Sequence, residues 1–124
     1  MIKYIEAKSN LNDCGPAWIA NVKESRSGST IYFNQMALKK GHSASGNYFD
    51  STYGNEYWIS GIKKRGSNRH WAGTGIINVE KDAVIELKTL LQVSELDLQI
   101  YQVCENFPEP DIQKLHNMEN LPLR

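Results

Sequence analysis

The residues best suited to chemistry lie in one stretch, Gly46 to Gly75, which begins GNYFDSTYGNEYWISGIKKRGSNRHWAG. Lys63, Lys64, Arg65 and Arg69 form a cationic run there, joined from upstream by Lys39 and Lys40. Cations of this kind neutralise phosphate and release its counterions. Tyr48, Tyr53 and Trp71 offer flat rings on which nucleobases can stack, and His70 sits between Arg69 and Trp71. The predicted ligand-binding set is therefore Tyr48, Tyr53, Lys63, Lys64, Arg65, Arg69, His70 and Trp71. Its predicted ligand carries phosphate, as a nucleotide or a nucleic acid. The plain structural alternative is a solvated hairpin tip with its aromatics turned inward. With a formal net charge of +0 and a pI near 6.8, the chain lacks the basic excess that marks many nucleic-acid binders.

Other constellations are thinner. His42 or His70 beside Asp50 or Glu56 would make a general base with an orienting carboxylate, and Ser43, Ser45 or Ser60 a nucleophile. Two histidines near lysines also suit phosphodiester cleavage, which keeps a small His-dependent hydrolase or nuclease in view. No spacing demands it, and no catalytic residue is assigned. Gly66-Ser67-Asn68-Arg69 and Gly73-Thr74-Gly75 could each turn backbone N–H groups toward an anion, but ordinary turns explain them equally. Neither matches a Walker or dinucleotide fingerprint. Cys14 and Cys104 form no CxxC, and no Cys/His set has zinc spacing. Both are read as free thiols; no metal and no cofactor is predicted.

These side chains need a scaffold. At 124 residues, with 40% apolar and 23% charged, the chain matches an ordinary globular domain with its own core. Its longest apolar runs fall short of a membrane span, and MIKYIEAKSNLNDC lacks a signal-peptide core. A cytoplasmic protein without membrane contact is the expectation. Ile2, Tyr4 and Glu6 alternate with Lys3 and Ile5, as in a short edge strand. Residues 17–23 and 30–33, joined by Ser25-Arg26-Ser27-Gly28, read as a hairpin. Asn34-Gln35 turns into a strand at 36–40, Gly41 to Gly46 is a loop, and 47–50 with 56–62 make a second hairpin. Residues 75–79 read as the last core strand. Trp18, Trp58 and Ile59 are assigned to the core.

From Asp82 the pattern changes. Asp82 is placed to cap a helix with Val84, Leu87, Leu90 and Leu91 on one side. Leu96, Leu98, Ile100, Tyr101 and Val103 fit a second helix or an alternating strand, with helix favoured, and a third helix is expected over 111–120 after Pro108-Glu109-Pro110. The predicted fold is α+β: a small antiparallel β barrel or bent sheet over about 1–80, then two or three C-terminal helices, as a single domain spanning 1–124. Residues 1–81 carry 11 Lys+Arg against 6 Asp+Glu, and 82–124 carry 3 against 8. That polarity marks an interaction surface, or else an acidic tail docked on a basic body. The helices either pack on the core or form a homodimer seam.

Four pieces carry a resemblance: Gly15-Pro16-Ala17-Trp18-Ile19; Ser27-Gly28 with Thr30-Ile31-Tyr32-Phe33-Asn34; Gly46-Asn47-Tyr48-Phe49-Asp50; and Tyr57-Trp58-Ile59-Ser60-Gly61 continuing to Arg69-His70-Trp71-Ala72-Gly73. In combination they resemble a family of short, uncharacterised bacterial proteins, over about residues 14–80. Some of its members bear a label taken from deoxyxylulose-phosphate synthase. This chain is too short for a thiamine-diphosphate enzyme and has no GDG motif, so that activity is not carried over. The resemblance implies the boundaries of the β region and supplies no catalytic residues. Family members end soon after the strand at 76–79, which makes the tail from Asp82 an addition suited to a partner.

The leading expectation is thus a non-enzymatic binding domain for a phosphate-bearing ligand. An alternative from another class is a protein-partner module, of the immunity, antitoxin or anti-defence kind, that uses residues 82–124.

Overall fold

The computed structural model describes residues 1–8, 15–41, 46–65, 68–70 and 73–119. Among these the chain forms nine strands: β1 (Ile2–Ala7), β2 (Ala17–Asn21), β3 (Lys23–Glu24), β4 (Thr30–Phe33), β5 (Met36–Lys40), β6 (Tyr48–Asp50), β7 (Glu56–Ser60), β8 (Ile77–Glu80) and β9 (Tyr101–Cys104). A 3₁₀ turn at Lys81–Ala83 leads into α1 (Val84–Leu91), and α2 spans Ile112–Glu119. The strands make one curled sheet, a half-barrel, in the order β3-β4-β5-β6-β7-β1-β2-β8-β9. The curl follows from connectivity. β3 is an edge strand, yet Val22 alone separates it from the interior strand β2.

The bent sheet over the first eighty residues is there, with three differences from the sequence reading. The sheet is mixed rather than antiparallel, because β8 runs parallel to both β2 and β9. β1 is an interior strand, paired with β2 and β7, and not an edge. The sheet also extends past residue 80, since Tyr101–Cys104 is a strand where a helix was favoured. The reason is local. Asp97 accepts Gln99 N–H on Oδ1 at 2.9 Å, while its carbonyl takes the N–H groups of Ile100 and Tyr101. A short polar side chain that bonds its own backbone competes with helix continuation. Asp82 does not cap α1 either; it lies in the 3₁₀ turn, its N–H donating to Asn106 Oδ1 at 2.8 Å.

Turn chemistry fixes the hairpins. Asn34 and Gln35 both have positive φ, 47° and 61°, the two-residue turn whose twist matches its strands. Gly28, at φ 76°, closes β3 onto β4 where a side chain would be strained.

Period-two alternation gives the sheet two buried faces. Tyr4, Ile19, Ile77 and Val79 pack beneath α1, which contributes the fully buried Leu87 with Val84, Leu90 and Leu91 beside it. Ile5, Ala20, Ile31, Phe33, Leu38 and Ile59 fill the inside of the curl, with half-buried Trp18 against them. The segment after β9 crosses back over that opening. Phe107 meets Phe33 edge to face at 4.9 Å, Glu109 pairs with Lys23, and Leu115 of α2 is buried with Tyr32 and Ala37. The tail therefore docks on the β body. Among the described residues the ion pairs it makes there, Lys23–Glu109 and Lys81–Glu105, are exposed and contribute little beside the apolar contacts and the Phe107 N–H donated to Glu80. Among the described residues no helix is long and apolar enough to cross a membrane.

Candidate functional site

The site grows out of β1. Ile2, Tyr4, Glu6 and Lys8 share one face by alternation; the first two enter the apolar core, while Glu6 and Lys8 are buried beyond the reach of α1. Two unlike charges can be withdrawn from water together only if each finds partners. Lys8 Nζ bonds Glu6 Oε2 at 2.6 Å. Tyr4 donates its hydroxyl to Glu6 Oε1. Arg69 approaches the same oxygen at 3.5 Å, and the His70 N–H donates to it at 2.9 Å. Burial, then the Glu6 hydrogen bond and charge, raises the Tyr4 phenol well above its ordinary pKa.

Those contacts hold the described parts of the connection between β7 and β8, residues 61–65, 68–70 and 73–76, against the sheet. Trp58 lies directly opposite Glu6 on β7, and the His70 ring stacks on it, centroids 3.8 Å apart and planes 11° from parallel. Arg69 also donates to the carbonyls of Gly15, at 2.9 Å, and Thr74. Asn68 is buried, its Oδ1 accepting the Lys63 N–H at 2.7 Å. Gly73 rests on the Glu6 carboxylate so closely that an added Cβ would overlap both oxygens. Glycine is required there for close approach rather than for an unusual backbone angle.

Beside this loop is a cleft of about 420 Å³, walled by Asn68, Thr74, Ile76, Gln99, Ile100 and the Tyr101 ring. Its size falls within the range of small-molecule sites. Ile76 and Ile100 are each 45% exposed, an apolar lip opposite polar groups. Burial raises the Tyr101 phenol, nearby Asn68 tempers the shift, and Asp97 adds to it. A second hollow, about 340 Å³, lies where the tail crosses the curl and is bordered by Glu80, Asp82 and Glu109 with Lys23. Lys23 is already paired with Glu109, and the remaining carboxylates disfavour phosphate.

The sequence-derived residues divide accordingly. Lys63, Lys64 and Arg65 are exposed on the loop and do not line the cleft; the Lys63 backbone N–H donates to Asn68, which does. Arg69 and His70 follow in the same connection: Arg69 approaches Glu6 and also lines the cleft, while the His70 ring stacks on Trp58. Tyr53 is 80% exposed at the tip of the β6–β7 hairpin. Tyr48 is buried in the curl among Ile59 and Tyr57. Trp71, His42, Ser43, Ser45, Gly66, Ser67 and Cys14 lie outside the described residues. Cys104 is a free, half-buried thiol whose pKa is raised by burial and by the Glu80 and Glu105 charges, which makes it a poor nucleophile. Among the described residues no cluster of three or more His, Cys, Asp or Glu is arranged to hold a metal.

Sequence reasoning missed Glu6, Lys8, Asn68, Gln99 and Tyr101. Glu6 and Lys8 did leave a signal, since charges in phase with Ile2 and Tyr4 land on a buried face. No family model matches the chain, and no curated protein and no solved structure matches it.

Proposed function

We propose that this chain is a non-enzymatic binding domain for a phosphate-bearing ligand of nucleotide size, held between the loop segments 61–65 and 68–70 and the cleft. The observation that carries the reading is the pinning of that loop. A buried carboxylate orders a segment without strand pairing, and the segment displays Lys63, Lys64 and Arg65 to solvent next to an apolar-lipped cleft. Binding groups on a loop fixed by a rigid scaffold lose little freedom on binding. The ring of a ligand would lie against Ile76, Ile100 and Tyr101, with its phosphate toward the lysines. The ionised groups beneath are engaged with one another: Glu6 and Lys8 are 0% and 1% exposed, which favours support over turnover. The cleft's size favours a mononucleotide or a strand terminus over a long duplex.

The test is a titration with nucleoside monophosphates, read by tryptophan fluorescence at low and moderate salt. Trp58, stacked under His70, reports on the loop. A saturable change is expected, weakened by salt because the cations are exposed, and weakened about tenfold by Lys63→Ala with Arg65→Ala. Absence of saturable change with every nucleotide would refute the reading.

A further inference from the structure

The two edges of the sheet are unlike. β3 is an edge of two residues, Lys23 and Glu24, both charged and exposed, and Lys23 is engaged by Glu109 of the tail. A short, charged edge is protected against further strand pairing. β9, the opposite edge, carries neither protection. Its four residues, Tyr101-Gln102-Val103-Cys104, include no charge and no proline, and among the described residues no strand pairs with its outer side. Ile100 accepts the Ile77 N–H on its carbonyl at 2.8 Å, where the parallel ladder to β8 begins. Successive residues of a strand turn their backbone groups to opposite sides, so Gln102 faces β8 and Val103 directs both N–H and C=O outward. Apolar surface collects in and just before the same strand: Leu98 is 74% exposed, and Ile100 and Val103 are each 45% exposed.

We propose that β9 is the seam of a symmetric dimer, paired antiparallel with β9 of a second copy of this chain and centred on Val103. A two-fold axis normal to the sheet at that residue sets Val103 against itself, Gln102 against Cys104 and Tyr101 against Glu105. The facing valines then exchange N–H and C=O bonds, and their branched side chains meet across the axis. No like charges stand opposite one another in this register. The uncharged strand offers no handle to a strongly charged partner strand, whereas a second copy brings the same unpaired groups in matching register. The contact is isologous, and with β3 blunted each copy has one open edge, so the assembly closes at two chains instead of growing into a filament. The seam is independent of the ligand reading above.

Sedimentation equilibrium of the full chain across a concentration series tests this. A reversible monomer–dimer equilibrium without larger species is expected. Val103→Lys sets two ammonium groups opposite each other at the axis and should weaken dimerisation at least about tenfold. Lys23→Ala, on the other edge, should leave the association constant within about twofold. Amide hydrogen exchange of the wild type locates the seam: the Val103 N–H should slow as concentration rises, while the Gln102 N–H, turned toward β8, keeps one rate. That measurement decides the matter even if Val103→Lys does not fold. A dimer whose Val103 amide exchanges freely, or one indifferent to Val103→Lys, would place the seam elsewhere and overturn the proposal. A monomer at every concentration up to about 1 mM would also overturn it and leave the edge to a strand of another protein.

Discussion

Two buried carboxylates perform the same structural task at opposite places on the sheet, and they differ in how their charge is met. Glu6, on β1, receives the His70 N–H from a loop 64 residues away. Glu80, at the end of β8, receives the N–H of Asn21 at 2.9 Å and of Phe107 at 2.8 Å. Each ties an irregular segment to the strand bearing it. Glu6 is further surrounded by Lys8, Arg69 and the Tyr4 hydroxyl, whereas the two bonds on Glu80 come from backbone. The first arrangement is a rigid platform under a cationic loop. The second is a fastening for the tail where it crosses the curl. What lies above each differs in the same way: Lys63, Lys64 and Arg65 over one, Asp82 and Glu109 around the other.

The contrast can be broken most severely at Glu6. Glu6→Gln removes the carboxylate that Lys8, Arg69 and the Tyr4 hydroxyl share, and loss of one partner from a buried pair is expected to cost about 3–5 kcal/mol. Urea unfolding measures it, and nucleotide binding should weaken in any population that remains folded. A loss below 1 kcal/mol would mean that the pair is not the anchor. Glu80→Gln retains one acceptor and loses the other, so a smaller effect is expected, about 1.5–3 kcal/mol. It should speed proteolytic cleavage within 105–110 while nucleotide affinity stays within about twofold. Equal loss of affinity in both variants would erase the distinction between platform and fastening.

A gentler probe is alkaline pH. The folded state holds the Tyr4 proton more tightly than the unfolded chain, because burial and Glu6 both oppose the phenolate. Stability is therefore complete below the ordinary tyrosine value of 10.0 and falls as pH rises beyond it. Tyr4→Phe should flatten that decline, measured by denaturant midpoints across the range. Tyr48 and Tyr57 shift in the same direction by burial, so some slope persists.

How far the sequence discloses this arrangement depends on the range of the interaction. Local chemistry was legible: the Asn34-Gln35 turn, the 48–50 and 56–60 hairpin, and the Val84/Leu87/Leu90/Leu91 face all follow from spacing and turn residues. Partner choice between distant strands was not, since Ile77–Glu80 reads the same whether it pairs parallel or antiparallel. The strand at Tyr101–Cys104 was not decided because Leu96, Leu98, Ile100, Tyr101 and Val103 fit either a helix or an alternating strand, while the Asp97 turn that stops the helix depends on its own hydrogen bonds. At the site, the exposed cations were visible as a run. The cleft was not visible, because its walls come from 68–69, 73–77 and 99–101, segments that meet only when β8 and β9 pair. Tyr48 shows the limit from the other side: an aromatic in a turn-rich stretch carries no mark of whether it faces the curl or the solvent.

The most direct measurement is a two-dimensional amide NMR titration with uridine monophosphate. The binding reading predicts concentration-dependent shifts in 61–65, 68–70, 73–77 and 99–101, with the Tyr53 hairpin tip and residues 105–110 unmoved. Shifts confined to residues 105–110, or to the hairpin tip, would contradict it.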